Sequence, residues 1–323
     1  MRDAERERME SSSTEAAAPG KVVRWLMEFD PAIRWQVMRD LTDEREDTVA
    51  AERSRVASEG WGARLLEMQR PDGTWSEEDY ARFWMPTIFV LDLLEDLGID
   101  PASERVRVAI DRVRNGLVWE RLDGRPFFDG ETEPCLNGRI LSAGAYFGTP
   151  SDRLVDRLLS EQLEDGGWNC DAPPSTRSSF HSTICVLEGL LTYEKARGAT
   201  PAVARARARG EEYLLERRML RSLRTGEVID RRWTRFAFPT TYHYDVLRGL
   251  DYLRSAGIEP DERIAEAIDI VEQRRHQNGR WPLNVLHPDR FPFDMEPGVG
   301  RASAWNTLRA LRVLKWYGGG RMP

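Results

Sequence analysis

A chain of 323 residues is long enough for one large domain or two ordinary ones. Its formal net charge of -7 argues against general nucleic-acid binding, which needs a basic face, and its three cysteines exclude a disulfide scaffold and suit a reducing cytoplasm. Apolar residues at 41% place it among globular chains.

Residues 1–20 are charged, then rich in Ser and Ala, and close on Pro19-Gly20. They read as a flexible tail without the apolar stretch of a secretory signal. Val22 to Thr42 reads as an atypical cap on the helical units of the rest of the chain. From there the chain is helix upon helix, and two kinds alternate. One kind has a single apolar stripe, as at Leu154, Val155, Leu158, Leu159 and Leu163, or at Ile264, Ile268 and Val271. The other is apolar on several sides and is expected to begin near Arg82, Cys135, Ser179, Thr241 and Ala302. Apolar runs such as Thr87 to Leu91 are too short to span a membrane. Helix stops at Gly98 to Pro101, Gly148 to Pro150, Gly198 to Pro201 and Gly257 to Pro260 recur about every fifty residues, which marks an internal repeat. A helix apolar on several sides must be buried on several sides. The alternation therefore predicts two concentric rings. This is an all-α fold, an α/α toroid of about six helix pairs, formed by residues 21–323 as one domain.

The loops inside the units share a signature. Gln69-Arg-Pro-Asp-Gly73-Thr-Trp75 matches Gln162-Leu-Glu-Asp-Gly166-Gly-Trp168. A third copy runs from Gln273 through Gly279 to Trp281 with two extra residues, and degenerate copies lie near Phe128 and Trp233. The motif resembles the QW repeat of the squalene and oxidosqualene cyclases, whose α/α toroid is shared with protein prenyltransferase β subunits. The resemblance covers nearly the whole chain. It implies a terpene-cyclase-like or prenyltransferase-like fold. It also implies a structural role for these residues, the Gln capping neighbouring helix ends and the Trp packing on it.

Those cyclases protonate their substrate with the central Asp of an Asp-x-Asp-Asp or Asp-Cys-Thr-Ala-Glu motif, and neither motif occurs here. The nearest acidic cluster is Asp129-Gly-Glu131-Thr-Glu133-Pro-Cys135, just ahead of an inner helix. Asp129, Glu131 and Asp294 are the candidate proton donors, while Glu133 and Pro134 read as a helix start. Tyr242 and Asp245, at the head of the fifth inner helix, are further catalytic candidates. Trp84, Phe128, Tyr146 and Trp305 could line a cavity and face a carbocation, although aromatics at helical spacing are more often core. Arg231, Arg232 and Arg235 could hold a diphosphate, with a solvated loop as the plainer reading.

Aligning the inner helices on Leu141, Leu187 and Leu247 sets Cys135 level with His181. It sets His243 in the first turn of its own helix, and Cys170 lies in the loop leading to His181. Cys135, Cys170, His181 and His243 are thus expected to project toward one mouth of the barrel as a zinc-binding set, with Asp171 as an alternative oxygen ligand. Cys185, in mid-helix, reads as core. The resemblance implies a similar site. Protein prenyltransferases hold zinc with an Asp and a Cys of one loop and a His opening an inner helix, and lanthionine cyclases use Cys, Cys and His. Phe180-His181-Ser-Thr-Ile is similar to that His-bearing helix, and Cys170-Asp171 is a reversed, contracted version of the loop pair. The expected function is a zinc-dependent cytoplasmic enzyme acting on an apolar or isoprenoid-like small molecule, or a peptide, at one barrel mouth. The alternatives are a metal-free terpene-cyclase-like isomerase using a buried acid and a non-catalytic lipid- or peptide-binding toroid. A dry aromatic cavity would favour terpene chemistry, and an open polar cleft would favour sugars.

Overall fold

The structure is a computed structural model and describes residues 19–75, 80–287 and 291–322, except the side chains of 19 and 80–85. The expected tail lies outside the described residues save for its last two positions, where Pro19 already opens a helix. The side chain of Trp84 also lies outside them. In chain order the helices are α1 (Pro19–Leu26), α2 (Pro31–Asp40), α3 (Glu46–Ser54), α4 (Gly60–Glu67), α5 (Tyr80–Asp96), α6 (Glu104–Gly116) and α7 (Pro134–Tyr146). They continue with α8 (Asp152–Ser160), α9 (Phe180–Arg197), α10 (Pro201–Glu216), α11 (Val246–Ser255), α12 (Ala265–Gln273) and α13 (Ala304–Tyr317). Among the described residues the one sheet is a hairpin of two-residue strands, β1 (Val118–Trp119) and β2 (Arg125–Pro126). No described helix is long and apolar enough to cross a membrane.

The fold is all-α, an α/α toroid. Helices α2, α5, α7, α9, α11 and α13 form the inner ring, and the others pack outside. Burial follows the sequence pattern. The outer helix α8 buries only the stripe Leu154, Val155 and Leu158, and Ser151 caps it by accepting the Leu154 N–H at 3.3 Å. The inner helix α9 is buried along most of its length. Helices α7 and α9 approach closely because Gly138 faces α9. A Cβ there would sit 2.4 Å from the Cys185 carbonyl oxygen, so only glycine permits the contact.

The repeated loops lock each inner helix to an outer one. The indole N–H groups of Trp75, Trp168 and Trp281 donate to the carbonyls of Leu65, Leu158 and Val271 at 2.7, 2.7 and 2.6 Å, ten residues back in each case. Gln69 bridges its own loop, at the Gly73 carbonyl, to Ala109 of α6 at 3.1 and 2.9 Å. Gln162 does the same with Gly166 and Ala206 of α10 at 2.7 and 2.8 Å. The indole bonds fall on carbonyls in the last turns of α4, α8 and α12, where intrahelical donors run out, while the Gln bonds add a second donor to mid-helix carbonyls and so tie each loop to an outer helix. The loop turns at Gly166, whose φ of +97° strains any other residue. The third copy departs from the pattern. Gln273 is exposed and caps nothing among the described residues, where no outer helix follows α13, the inner helix after it.

Three expectations need correction. The segment read as a cap contains α2, which is the sixth inner helix. Trp35 Nε1 donates to the Leu97 carbonyl at 2.9 Å and Gln36 Nε2 to Asp96 at 3.0 Å, and Arg312 of α13 reaches Gln36 at 2.8 Å, closing the ring. The fifth inner helix starts at Val246, not near Thr241, because Asp245 is its N-cap and accepts the Arg248 N–H at 2.8 Å. The inner helices are also not apolar on their axial side. Arg139 of α7 binds Asp92 of α5 and Glu188 of α9 at 2.6 and 2.5 Å. Arg248 of α11 binds Glu188 at 2.6 Å, and Arg312 binds Asp251 of α11 at 3.0 Å. The rings are stitched by buried ion pairs, each of which is costly to break on one side.

Candidate functional site

The inner helices point their N-termini at one mouth of the barrel. Cys135 sits in the first turn of α7, behind Glu133 and Pro134, and is 7% exposed. Cys170 arrives from the loop that Trp168 anchors. Its N–H donates to Ser182 Oγ of α9 at 3.2 Å, and its Sγ lies 3.2 Å from the same hydroxyl. Glu133 completes the group, with an oxygen 3.7 Å from Cys135 Sγ. The three donor atoms all lie within 4.8 Å of one another. The adjacent Cys135 thiol holds the Cys170 thiol below its ordinary pKa, while Cys170 and burial raise that of Cys135.

The group opens on a cavity of about 540 Å³ whose wall includes Trp119, Leu136, Glu131, His181 and Tyr242. An aromatic row runs on from it: Tyr242 stacks on Phe89 at 6.4 Å, and Phe89 meets Phe291 at 6.2 Å. A second cavity of about 350 Å³ adjoins the row, lined by Phe238, His287, Phe291, Phe293 and Glu296.

The structure separates the residues singled out in the sequence. Cys135 and Cys170 come together, with Glu133, read in the sequence only as a helix start, as the third member. A carboxylate two residues before a first-turn cysteine was the available signal. His181 lines the cavity but stands outside the close group. Its Nδ1 accepts the Tyr244 N–H at 2.8 Å, so the neutral ring carries its proton on Nε2 and has no lone pair there for a metal. Burial and Arg248 lower its pKa and keep it neutral. His243 does not share the site. It precedes α11 rather than lying in its first turn, and it stacks on His287 with ring centroids 3.6 Å apart. Asp171 is exposed on the cavity wall. Cys185 is fully buried, its thiol pushed up to about 11 by burial.

Among the acids, Asp129 accepts the Ser151 hydroxyl at 2.9 Å and so braces the start of α8. Glu131 is half-buried and accepts the Glu133 N–H at 2.6 Å. Asp245 is buried as a helix cap, and Asp294 is exposed. None of the three proposed proton donors is buried. The acid with the raised pKa at this mouth is the half-buried Glu296, pushed up to about 7 by desolvation while accepting Ser303 Oγ at 2.7 Å and the Trp305 N–H at 3.2 Å. Trp305 stacks on Phe238 at 4.4 Å. Phe128 is core, and the Tyr146 hydroxyl donates to the Ile99 carbonyl at 2.7 Å. Arg232 pairs with Asp230 at 2.6 Å, and Arg235 donates to the Asn284 carbonyl at 3.0 Å. Neither lines the two cavities of this mouth.

No protein-family model matches the chain, and no curated protein matches it. Among solved structures it is similar to the type II terpene cyclase MstE from Scytonema in its apo form, with 17% identity over 88% of this chain and 86% of that one, at a TM-score of 0.43. It is similar also to a variant of MstE in complex with geranylgeranyl dihydroxybenzoate, that enzyme's substrate, with 17% identity over 90% and 87% of the two chains at a TM-score of 0.42. A likeness this distant carries no argument about chemistry, which rests on the site alone.

Proposed function

We propose that the protein is a zinc-dependent enzyme that works at the N-terminal mouth of its inner helices on an apolar or isoprenoid-like substrate. The observation that carries this reading is the convergence of Cys135 Sγ, Cys170 Sγ and a Glu133 oxygen within 4.8 Å beside an open cavity. Tetrahedral zinc places its ligand atoms roughly 3–4 Å apart, so two sulfurs and one oxygen within 4.8 Å of one another need only small side-chain rotations to take three of its positions. The fourth position would face the cavity. When bound there, zinc would polarise a substrate oxygen or hold a substrate sulfur as thiolate.

The chain's own residues supply the rest. Trp119, Leu136 and Tyr242 offer apolar surface, and the row through Phe89 to Phe291 extends it along the mouth. Neutral His181 is a hydrogen-bond donor through Nε2. Ser182 fixes Cys170, and Trp168 fixes the loop that carries it. Metal analysis of untagged protein, prepared without chelator, should find one zinc per chain, lost in Cys135→Ala and Cys170→Ala. Metal retained by the double variant would end the proposal.

A second reading has its own observation. Glu296 is a half-buried acid whose pKa is raised to about 7 beside Phe238, Phe291 and Phe293, which suits the proton donor of a metal-free isomerase. Activity that survives zinc removal but is lost in Glu296→Gln would favour it.

A further inference from the structure

The opposite end of the barrel axis holds a separate cavity of about 530 Å³, between the C-terminal halves of the inner helices. Phe238 lines this cavity as well as the aromatic one, so the Phe238–Trp305 stack partitions the axis. Eight cationic side chains line the cavity and only four carboxylates. The deep arginines are accounted for. Arg139 and Arg248 share Asp92 and Glu188, and Arg312 takes Asp251 at 3.0 Å and Asp40 at 3.3 Å.

The cations nearer the opening are not matched in this way. Lys195 makes no hydrogen bond or ion pair with another described residue. Arg53 donates only to neutral groups, the Gly98 carbonyl at 2.8 Å and the Tyr146 hydroxyl at 3.0 Å. Arg254 takes Asp251 at 2.8 Å, but Arg312 draws on the same carboxylate. Arg309 donates to the Ala237 carbonyl at 3.1 Å and stands 3.9 Å from the Asp251 oxygen that Arg312 holds. Arg39, which also pairs with Asp40 at 2.6 Å, Lys195 and Arg254 occupy the last turns of α2, α9 and α11, where the helix dipole favours a cation. That explains each one singly, not why three meet across one opening. Their meeting is felt: burial lowers the pKa of Lys195, and Arg254 and Arg39 lower it further.

We propose that this cavity binds a small polyvalent anion of the phosphate or diphosphate class, held by Lys195, Arg254, Arg309 and Arg53. Several guanidinium forks and an ammonium from different helices suit a compact ligand with many acceptor oxygens better than a single carboxylate. The site does not depend on the metal proposed at the other mouth.

Calorimetric titration of the full chain with inorganic pyrophosphate at low salt should show one site. A diphosphate ester of a short alcohol should bind as well if the ligand is an organic phosphate, and at least tenfold more weakly if the site takes only the free ion. Lys195→Gln/Arg254→Gln should lose at least tenfold in affinity, whereas Cys170→Ala should bind as the wild type does, since a pyrophosphate bound through zinc would be lost there instead. Circular dichroism checks the fold. If the double variant does not fold, Lys195→Gln alone should still lose several-fold. Absence of binding, or affinity unchanged by these substitutions, overturns the proposal.

Discussion

At the mouth formed by the inner-helix N-termini, two thiols, a carboxylate and a row of aromatic rings face open cavities. At the other end of the same axis, arginines and carboxylates from the inner helices neutralise one another in pairs and leave a rim of cations. The same six helices supply both surfaces, so the difference lies in which turns face the axis. The N-terminal turns and the loops before them carry few charges toward the axis that the fold must neutralise, and they leave groups available for chemistry. The C-terminal halves hold the ring closed by electrostatics. A dry aromatic chamber along the axis, which would have favoured terpene chemistry, is not what the charged end provides. At the charged end the aromatics Trp35, Tyr146 and Tyr252 share the wall with eight cations and four carboxylates, whereas the row from Tyr242 to Phe291 belongs to the first mouth.

This contrast can be broken from either end. The largest effects should come from the scaffold. Trp168 is fully buried and ties its loop to Leu158, so Trp168→Ala should lower stability by about 3–5 kcal/mol in urea unfolding. Arg139→Met should cost about as much, roughly 3–5 kcal/mol, because it strands Asp92 in the interior. A loss under 1 kcal/mol there would mean that the axial pairs do not hold the ring. The repeated loops give a finer comparison. Gln162→Ala should cost about 1–3 kcal/mol, since the Gly166 carbonyl loses its donor and the loop loses its tie to Ala206 of α10. The exposed Gln273→Ala should stay within about 0.5 kcal/mol.

A pH dependence tests the charged end in another way. Burial pushes Glu95 up to about 8 against the pull of Arg139, while Ser142 donates to it at 2.8 Å. Its folded pKa lies above its unfolded one. Its contribution to stability is therefore complete below about pH 4.3 and is lost as pH rises through 8. Unfolding curves between pH 5 and 8 should show a decline that Glu95→Gln flattens.

Much of the scaffold was legible because its signals are local. Gln, Gly and Trp at fixed spacing specify a loop whose hydrogen bonds run within ten residues or to the next outer helix. Helix α2 was missed because its inward face is Trp35, Gln36 and Arg39, and a periodicity reading equates burial with apolarity. The charged axis was missed for the same reason. Arg139 finds Asp92 and Glu188 more than forty residues away on other helices, and no local pattern shows which acid will neutralise which base. The approach of Cys135 to Cys170 was readable from the repeat register. The position of His243 was not, because aligning on Leu247 assumes that every inner helix starts at the same distance from its core leucine. Asp245 starts α11 late and leaves His243 in the preceding loop.

The central claim is the coordination of a metal by Cys135, Cys170 and Glu133. X-ray absorption at the zinc edge of the full chain, loaded with one equivalent, tests it most directly. The account predicts two sulfur neighbours at about 2.3 Å with the remaining ligands oxygen, and loss of one sulfur in Cys170→Ser. A shell of nitrogen and oxygen alone, or a spectrum unchanged by Cys170→Ser, would contradict it.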